Sequence, residues 1–491
     1  NPSIMPQPLE QLNQSVVKAE YAVRGAVVIR AGEIQADLQK NPDKYKFKRI
    51  AYLNIGNPMA SGLTYMKFTR DLISLCMAPH LLQASEEDLL KVGFSTQVIE
   101  RARMFMKKNP TGLGPYTHSK GFASIREEVA QFIERRDGFP SDPEHIFLTN
   151  GASSGIKDVI QLLSGPVSGK SGFMIPIPQY PLYSATLAMN NSMPVGYELD
   201  ESSNWSLSID KLEQIYAAHQ LAHPDVAIRA LVIINPSNPC GAVLPKQTCM
   251  DIISFCSKHD IALLADEVYQ ENLYRPTQDE KKSEFQSFKQ CLRVFEKQNK
   301  SVGPMVFSYH SISKGFTGEC GLRGGYMEAT NCPVHIMDQL YKVASVSLCS
   351  NSVGQLAVSV MVNPPKMEEY ELDSKEKILS MERRAQTAYQ ILNSDPHITC
   401  QKVQGAMYAF PNLEMPPKFV QECEHKGAKA DNVYCMQLLE EEGICSVSGS
   451  GFLQKSGTWH LRMNILEKEE LMPDIVERMV QFHKKLWEKY E

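Results

Sequence analysis

A lysine that follows an apolar run is the residue in this chain whose setting most suggests covalent chemistry. Lys314 comes five residues after the run at residues 305–309, and Arg323 follows nine residues later. A lysine at the carboxyl end of a sheet strand lies where α/β folds bind their ligands. Its amine can form an imine with an aldehyde, and Ser311, Ser313 and Arg323 can hold a phosphate. Because most lysines are solvated surface residues, this setting alone is weak support.

An aspartate, Asp266, stands at the end of a second apolar run, residues 263–265. An acid at such a position is costly to bury unless a cation pairs with it. A protonated pyridine nitrogen is one such cation, and pairing with an aspartate makes the ring an electron sink. The alternative is structural, because an aspartate after a strand often caps the helix that follows.

Three further motifs follow predicted strands. Asn238 lies in the turn at residues 235–241, where its amide could meet a phenolic oxygen, although the turn has a purely structural explanation too. Gly151-Ala152-Ser153 opens a predicted helix, whose backbone N–H groups and dipole favour a phosphate. Tyr180 could stack on a flat ring, although a packed loop aromatic is the more frequent outcome for such a residue.

The sequence argues against several other classes of protein. It contains no GxxxxGK[ST] phosphate loop and no GxGxxG fingerprint after the first predicted strand. The formal net charge is -5 and no dense Lys/Arg tract occurs, so a nucleic-acid surface is not indicated. The twelve cysteines include no CxxC pair, which argues against a structural zinc site and is typical of a reducing compartment. No apolar run approaches the ~20 residues that a membrane span requires.

Short apolar runs that alternate with helical segments predict the elements that position these residues. The predicted strands are residues 50–55, 146–149, 172–176, 230–234, 262–265 and 305–309. The predicted helices are residues 9–38, with a break near Gly25, and residues 85–106, 121–136, 156–163, 245–259 and 374–392. This pattern predicts an α/β fold, in which a large domain has a mostly parallel central sheet flanked by helices.

Three parts of the chain are expected to build that fold. Residues 111–365 form the large, ligand-binding domain. Residues 1–110 contribute to a smaller α+β domain and to dimer contacts, and residues 366–491 complete the small domain. The length of 491 residues supports this division, because it exceeds that of one ordinary domain.

The order of the motifs resembles that of the fold-type I pyridoxal-phosphate aminotransferases. The motifs are Gly-Ala-Ser, Tyr, Asn-Pro-x-Asn-Pro, Asp-Glu-x-Tyr, Ser-x-x-Lys and Arg-Gly-Gly-Tyr, over residues 150–326. Within that family the chain is similar to the alanine aminotransferases. The phrases that carry the narrower resemblance are at residues 21–25, 175–183, 314–321 and 404–408. Cys240 and Ser448 depart from the pattern, which has Thr and Pro at these positions.

The resemblance implies roles for residues at the matching positions. Lys314 binds the aldehyde of pyridoxal 5′-phosphate and later moves the substrate Cα proton, as the catalytic residue. Asp266 pairs with the ring nitrogen, Asn238 and Tyr269 hold the ring hydroxyl side, and Tyr180 stacks on the ring. The residues implied to bind the phosphate are Ala152, Ser153, Ser311, Arg323 and, from the partner of a homodimer, Tyr116. Arg462 grips the substrate α-carboxylate and Gly56 lies over the site, with Asn238 and Tyr180 also near the substrate. No metal is implied.

The expected reaction is ping-pong transamination of L-alanine and 2-oxoglutarate to pyruvate and L-glutamate. An aromatic or other amino-acid aminotransferase, or a carbon–sulfur lyase of the same fold, shares the core motifs. A regulatory module that binds the cofactor without turnover is a more distant alternative, since no basic helix-turn-helix sequence is present. We expect small amino and 2-oxo acids as the only other partners, and a cytoplasmic or mitochondrial matrix location. The start at Asn1 rather than Met is consistent with removal of a targeting segment.

Overall fold

A seven-stranded sheet forms the centre of the protein, in a computed structural model that describes residues 12–21, 25–165 and 170–490. The strands in this part of the chain are β1 (Ala51–Tyr52), β2 (Ile146–Asn150), β3 (Ser171–Ile177), β4 (Met193–Glu198), β5 (Ala227–Ile234), β6 (Ala262–Asp266), β7 (Val306–Ser311), β8 (Gly324–Thr330), β9 (Ile398–Thr399), β10 (Tyr408–Ala409), β11 (Asn412–Leu413), β12 (Ile444–Cys445), β13 (Val447–Ser448) and β14 (Leu461–Asn464).

Helices separate most of these strands. They are α1 (Gln14–Val17), α2 (Ala26–Lys40), α3 (Lys67–Met77), α4 (Glu86–Val92), α5 (Thr96–Lys108), α6 (Ala123–Asp137), α7 (Ala152–Leu163), α8 (Leu182–Met189), α9 (Ile209–Ala222), α10 (Lys246–His259), α11 (Phe288–Asn299), α12 (Val334–Val346), α13 (Ser352–Val362), α14 (Glu368–Leu392), α15 (Pro417–His425), α16 (Ala430–Glu442) and α17 (Met472–Tyr490). No helix of the described residues is both long and apolar enough to span a membrane.

The central sheet has the strand order β2-β8-β7-β6-β5-β3-β4. Neighbouring strands from β7 to β4 are parallel, and β8 runs antiparallel to both β2 and β7. The prediction of an α/β fold with a mostly parallel central sheet is therefore confirmed. Because parallel strands end at one edge, the residues after β5, β6 and β7 meet there.

Both faces of the sheet are buried at its central strands, which explains why β6 and most of β5 are apolar without alternation. In β5, Ala230, Val232 and Ile234 join one apolar cluster, whereas Leu231 and Ile233 join another on the opposite face. The first cluster includes residues of α7 and α8, and the second includes residues of α10 and α11. Helices therefore fix the strands from both sides.

Short strands connect the beginning and the end of the chain. β1 pairs in parallel with β12, with Ala51 opposite Ile444. β14 lies between β10 and β13 in an antiparallel sheet. Residues from the N-terminal segment and the C-terminal third are thereby held together beside the large sheet. The domain boundaries at residues 110 and 365 stay a prediction.

The structure contains several elements that were not predicted, among them α3, α9, α11, α12 and α13. Three other differences have a clear physical reason. β4 was not predicted, because Pro194 and Gly196 are unusual in strands, but β4 is an edge strand, where proline is tolerated. β8 was not predicted either, since it begins with two glycines. The helix predicted at residues 85–106 is interrupted at Gly93, whose φ of 104° ends α4. Of the helix predicted at residues 9–38, residues 9–11 and 22–24 lie outside the described residues.

Candidate active site

A cavity of about 790 Å³ opens at the carboxyl edge of the central sheet. Every site residue named from the sequence lines this cavity except Tyr116. The lining residues from that set are Gly56, Ala152, Ser153, Tyr180, Asn238, Asp266, Tyr269, Ser311, Lys314, Arg323 and Arg462. Tyr116 is 77% exposed and does not line the cavity. No group of acidic, histidine or cysteine side chains in the described residues could hold a metal ion.

Lys314 lies in the turn that follows β7. Its Nζ atom donates a hydrogen bond to the Gly56 carbonyl oxygen at 2.8 Å and lies 5.7 Å from the centroid of the Tyr269 ring. Gly315 has a φ of 64°, which favours glycine, and its N–H donates to the Asn272 side-chain oxygen at 2.9 Å. The backbone reverses at this point, so the lysine amine is directed into the cavity.

Gly56 approaches the lysine too closely for any side chain. A Cβ atom at this position would lie 2.2 Å from the Tyr408 hydroxyl oxygen and 2.9 Å from Lys314 Nζ. Real Cβ atoms do not approach other heavy atoms so closely. The segment after β1 therefore has to carry glycine here to leave the amine accessible.

Asp266 is the last residue of β6 and is 4% exposed. Its Oδ2 atom accepts a hydrogen bond from the Tyr183 hydroxyl at 2.9 Å, whereas its Oδ1 atom has no partner. Burial raises the pKa of Asp266 to about 6, against the opposing effects of the Tyr183 hydroxyl, the Val268 backbone N–H and the Lys314 charge. A turn, not a helix, follows Asp266. The interpretation of this residue as a helix cap is thus wrong for the described structure.

A cradle of donors forms where β2 leads into α7. Gly151, with a φ of 71°, precedes the helix, and Ala152 and Ser153 are its first residues. The Arg323 Nη2 group donates to the Ser153 hydroxyl at 3.1 Å and to the Asn150 carbonyl oxygen at 3.0 Å. A Cβ atom on Gly151 would lie 2.5 Å from that Nη2 group. Free N–H groups at a helix start beside a guanidinium suit a dianion.

Arg462, in β14, is a buried cation that also lines the cavity. The side chain is 1% exposed, and the guanidinium carbon lies 4.3 Å from the Tyr408 ring centroid and 4.8 Å from that of Phe452. Nη1 donates to Asn238 Oδ1 at 3.1 Å, Nη2 donates to the Asn54 carbonyl oxygen, and Nε has no partner. No carboxylate of the described residues forms an ion pair with this arginine. A buried cation in this state favours an anionic ligand.

Tyr408 is a cavity residue that we did not single out from the sequence. It accepts a hydrogen bond from the Tyr269 hydroxyl at 3.3 Å. Burial raises the pKa of Tyr408, but the charges of Lys314 and Arg462 outweigh burial and hold that pKa below its ordinary value. The phrase at residues 404–408, used only for the resemblance, was the signal that could have identified it.

Two more tyrosines were missed, and both contact predicted residues. The Tyr21 and Tyr180 hydroxyls lie 2.7 Å apart, and their rings meet edge to face. Tyr183 lies in the first turn of α8, three residues after Tyr180, and its hydroxyl donates to Asp266. Tyr180 thus has partners on the N-terminal segment and on α8, which fixes its ring beside the cavity.

Comparisons with known proteins agree with this geometry. The family model for aminotransferase class I and II matches residues 90–479. Alanine aminotransferase 2, mitochondrial, from Arabidopsis thaliana is 43% identical over 99% of this chain and 89% of its own length. Glutamate–glyoxylate aminotransferase 2 from the same plant is 41% identical over 98% of this chain and 96% of its own length. The structure of an alanine aminotransferase from Pyrococcus furiosus aligns with a TM-score of 0.74 and 22% identity, covering 97% of this chain and all of that one.

Proposed function

The chain belongs to the class I and II aminotransferases, and from this we propose that it transfers the amino group of L-alanine to 2-oxoglutarate with pyridoxal 5′-phosphate as its cofactor. The products are pyruvate and L-glutamate, formed by a ping-pong sequence of two half-reactions. The observation that carries the proposal is one cavity in which the Lys314 amine, the unpartnered Asp266 oxygen and the unpaired Arg462 cation all lie.

The residues present fit the proposed cofactor. The unpartnered Asp266 Oδ1 atom offers a buried acceptor for a protonated ring nitrogen, and Gly151 leaves room for phosphate oxygens beside Arg323. Asn238 and Tyr269 would hold the ring hydroxyl side, and Tyr180 would stack on the ring. Ala152, Ser153, Ser311 and Arg323 would bind the phosphate. When bound, the cofactor supplies an electron sink for the substrate Cα.

Lys314 is the proposed general base and acid at the substrate Cα. Its Nζ atom is held by the Gly56 carbonyl and lies near the Tyr408 hydroxyl, whose pKa is held below its ordinary value. These polar neighbours fix the position of the amine, which shortens the path for proton transfer. Arg462 then orients the substrate, because a guanidinium binds a carboxylate through two parallel hydrogen bonds.

A second acceptor, glyoxylate, has specific support. The glutamate–glyoxylate aminotransferase of Arabidopsis is nearly as similar to this chain as the alanine aminotransferase is. Both pairs of substrates have an α-carboxylate for Arg462. The relatives described above are alanine and glutamate–glyoxylate aminotransferases, and neither name supports the aromatic aminotransferase or carbon–sulfur lyase alternative.

Assembly and location are also proposals. Tyr116, exposed in the single chain, is proposed to reach the phosphate in the partner subunit of a homodimer. Sedimentation of the purified protein as a dimer, and weaker cofactor retention by Tyr116→Phe, would support this. We propose the cytoplasm or the mitochondrial matrix as the compartment, and fractionation of cells that express the full gene would distinguish the two.

Half-reaction spectra test the function directly. The cofactor-loaded protein is mixed with L-alanine, L-glutamate or L-tyrosine, and loss of the aldehyde-form absorbance is recorded. We expect rapid conversion with L-alanine and L-glutamate and little with L-tyrosine. Pyruvate, 2-oxoglutarate and glyoxylate are then compared as acceptors. Conversion by L-tyrosine alone would contradict the alanine assignment.

A matched pair of lysine variants identifies the catalytic amine. Lys314→Ala should lose the absorbance of lysine-bound cofactor and turnover together. Lys157→Ala removes another lysine that lines the cavity, and it should keep both. Full activity in Lys314→Ala would overturn the assignment.

A further inference from the structure

The two oxygens of Asp266 have different surroundings. Oδ2 accepts a hydrogen bond from the Tyr183 hydroxyl, and Oδ1 has no partner in the described structure. Asp266 lines the cavity, whereas Tyr183 does not. The tyrosine therefore contacts the carboxylate from behind, on the side away from the ligand.

We propose that Tyr183 is a positioning residue that presents Asp266 Oδ1 to the cofactor and keeps the shared proton on the ring nitrogen. This inference rests on the proposed function. A hydroxyl that donates to a carboxylate stabilises its charged form over its protonated form. Without that bond, the proton shifts from the ring nitrogen to the carboxylate, and the ring withdraws electrons less strongly.

The position of Tyr183 makes it a fixed donor. The side chain is fully buried, and the Tyr183 backbone N–H, in the first turn of α8, donates to the carbonyl oxygen of Tyr180, which precedes the helix, at 3.2 Å. Burial and the nearby Asp266 charge both raise the pKa of Tyr183 well above its ordinary value, so the phenol keeps its proton. This backbone hydrogen bond thus links the proposed ring-stacking residue to the partner of the aspartate at the start of α8.

The other groups that face Asp266 do not replace this bond. Lys314 acts on it through its charge, and Tyr269 lies on the turn that follows it. The Val268 backbone N–H on that turn also lowers the pKa of Asp266, and it is present in every variant compared below. Tyr309 is the register partner of Asp266 on β7 and is fully buried, but its hydroxyl has no hydrogen-bond partner. Tyr309 therefore provides a matched control, a buried tyrosine beside the same aspartate without the bond.

The first test uses the protein without cofactor. Infrared titration follows the carboxylic-acid band of Asp266, identified by its loss in Asp266→Asn. Tyr183→Phe should raise the pH at which Asp266 ionises by about one unit, the effect of one hydrogen bond to a charged group. Tyr309→Phe should leave that pH unchanged. An unchanged midpoint in Tyr183→Phe would overturn the proposal.

The second test uses protein loaded with pyridoxal 5′-phosphate that carries ¹⁵N in the ring. The nitrogen resonance should move toward that of neutral pyridine in Tyr183→Phe and stay in place in Tyr309→Phe. Site-specific 3-fluorotyrosine at position 183 keeps the shape and strengthens the donor, so it should lower the Asp266 midpoint. A shift of the same sign as in Tyr183→Phe would contradict the inference.

The two tests separate this inference from the proposed function. A protein that binds no pyridoxal phosphate defeats the proposed function, while the titration without cofactor still measures the effect of Tyr183 on Asp266. A protein that binds the cofactor but shows no change in either measurement defeats the positioning role alone.

Discussion

The Arg462 guanidinium carbon lies 4.3 Å from the centroid of the Tyr408 ring, and this aromatic face takes the place of an anionic partner. Cation–π contact and two hydrogen bonds to neutral acceptors, the Asn238 side-chain oxygen and the Asn54 carbonyl oxygen, partly compensate the buried charge. They leave Nε unpartnered and the charge unpaired, which is costly in a buried site. A carboxylate ligand removes that cost, and Tyr408 is then poised between the carboxylate site and the lysine.

Arg462→Lys should weaken catalysis and leave cofactor binding intact. A lysine retains the charge but cannot bind a carboxylate through a planar pair of donors, so kcat/KM for L-alanine should fall about 100-fold. Steady-state kinetics and cofactor absorbance measure the two effects. Arg384→Lys changes another buried arginine, bonded to the Leu466 and Glu467 carbonyls, and should leave kcat/KM within about twofold. Equal losses in both variants would remove the special role of Arg462.

Gly56→Ala should reduce turnover, since the added methyl group would meet the Tyr408 hydroxyl and the Lys314 amine. Displacement of the amine from its working position should lower kcat by about 100-fold. Gly32→Ala is the control, because a Cβ atom there has no neighbour within 4 Å and Gly32 lies inside α2. That variant should keep its kcat and gain up to about 1 kcal/mol of stability. Normal turnover in Gly56→Ala would contradict the close approach.

The protein without cofactor should lose stability as the pH rises from about 4 to about 6. Asp266 has a pKa of about 6 in the folded state and about 4 when unfolded, so the folded state binds more protons in this window. The stabilising effect is complete below pH 4 and is lost through pH 6, a change of about 3 kcal/mol. Denaturant unfolding at several pH values measures it. Asp266→Asn should reduce the slope by the contribution of one carboxyl group, since Asp158 and Glu271, with pKa values raised to about 6 and about 7, still titrate. An unaltered slope would argue against the aspartate as a source.

Removal of one partner of the Lys289–Glu328 ion pair should cost more unfolding free energy than replacement of both partners. Both are buried, form an ion pair, and the Ser141 hydroxyl donates to the same glutamate oxygen at 2.6 Å. Lys289→Met leaves a buried carboxylate uncompensated and should cost about 3–5 kcal/mol of unfolding free energy. Lys289→Met combined with Glu328→Gln should recover most of that loss. Additive losses in the double variant would show that the pair does not act as a unit.

Site residues could be predicted from the sequence where a reactive side chain stands at the end of a predicted strand. Lys314 and Asp266 were identifiable because polar residues at the ends of apolar runs mark the carboxyl edge of a parallel sheet. Tyr183 and Tyr408 were not, since a buried tyrosine in a helix or short strand is an ordinary core residue until its hydroxyl partner is known. The pairing of Arg462 with Asn238 joins residues 224 positions apart, a separation that no local pattern encodes.

The antiparallel direction of β8 determines where the chain can accept insertions. A parallel strand offers its last residue to the ligand edge, but β8 offers its beginning, next to Arg323. Two groups at this edge, the Lys314 amine and the Arg323 guanidinium, are therefore joined by one short connection, residues 314–323, without a helical crossover. An insertion in this connection would displace the amine and the guanidinium together. An insertion in a helical connection between two parallel strands would disturb one group at a time. In a circular permutation or a domain graft, residues 311–324 therefore have to be kept as one continuous segment.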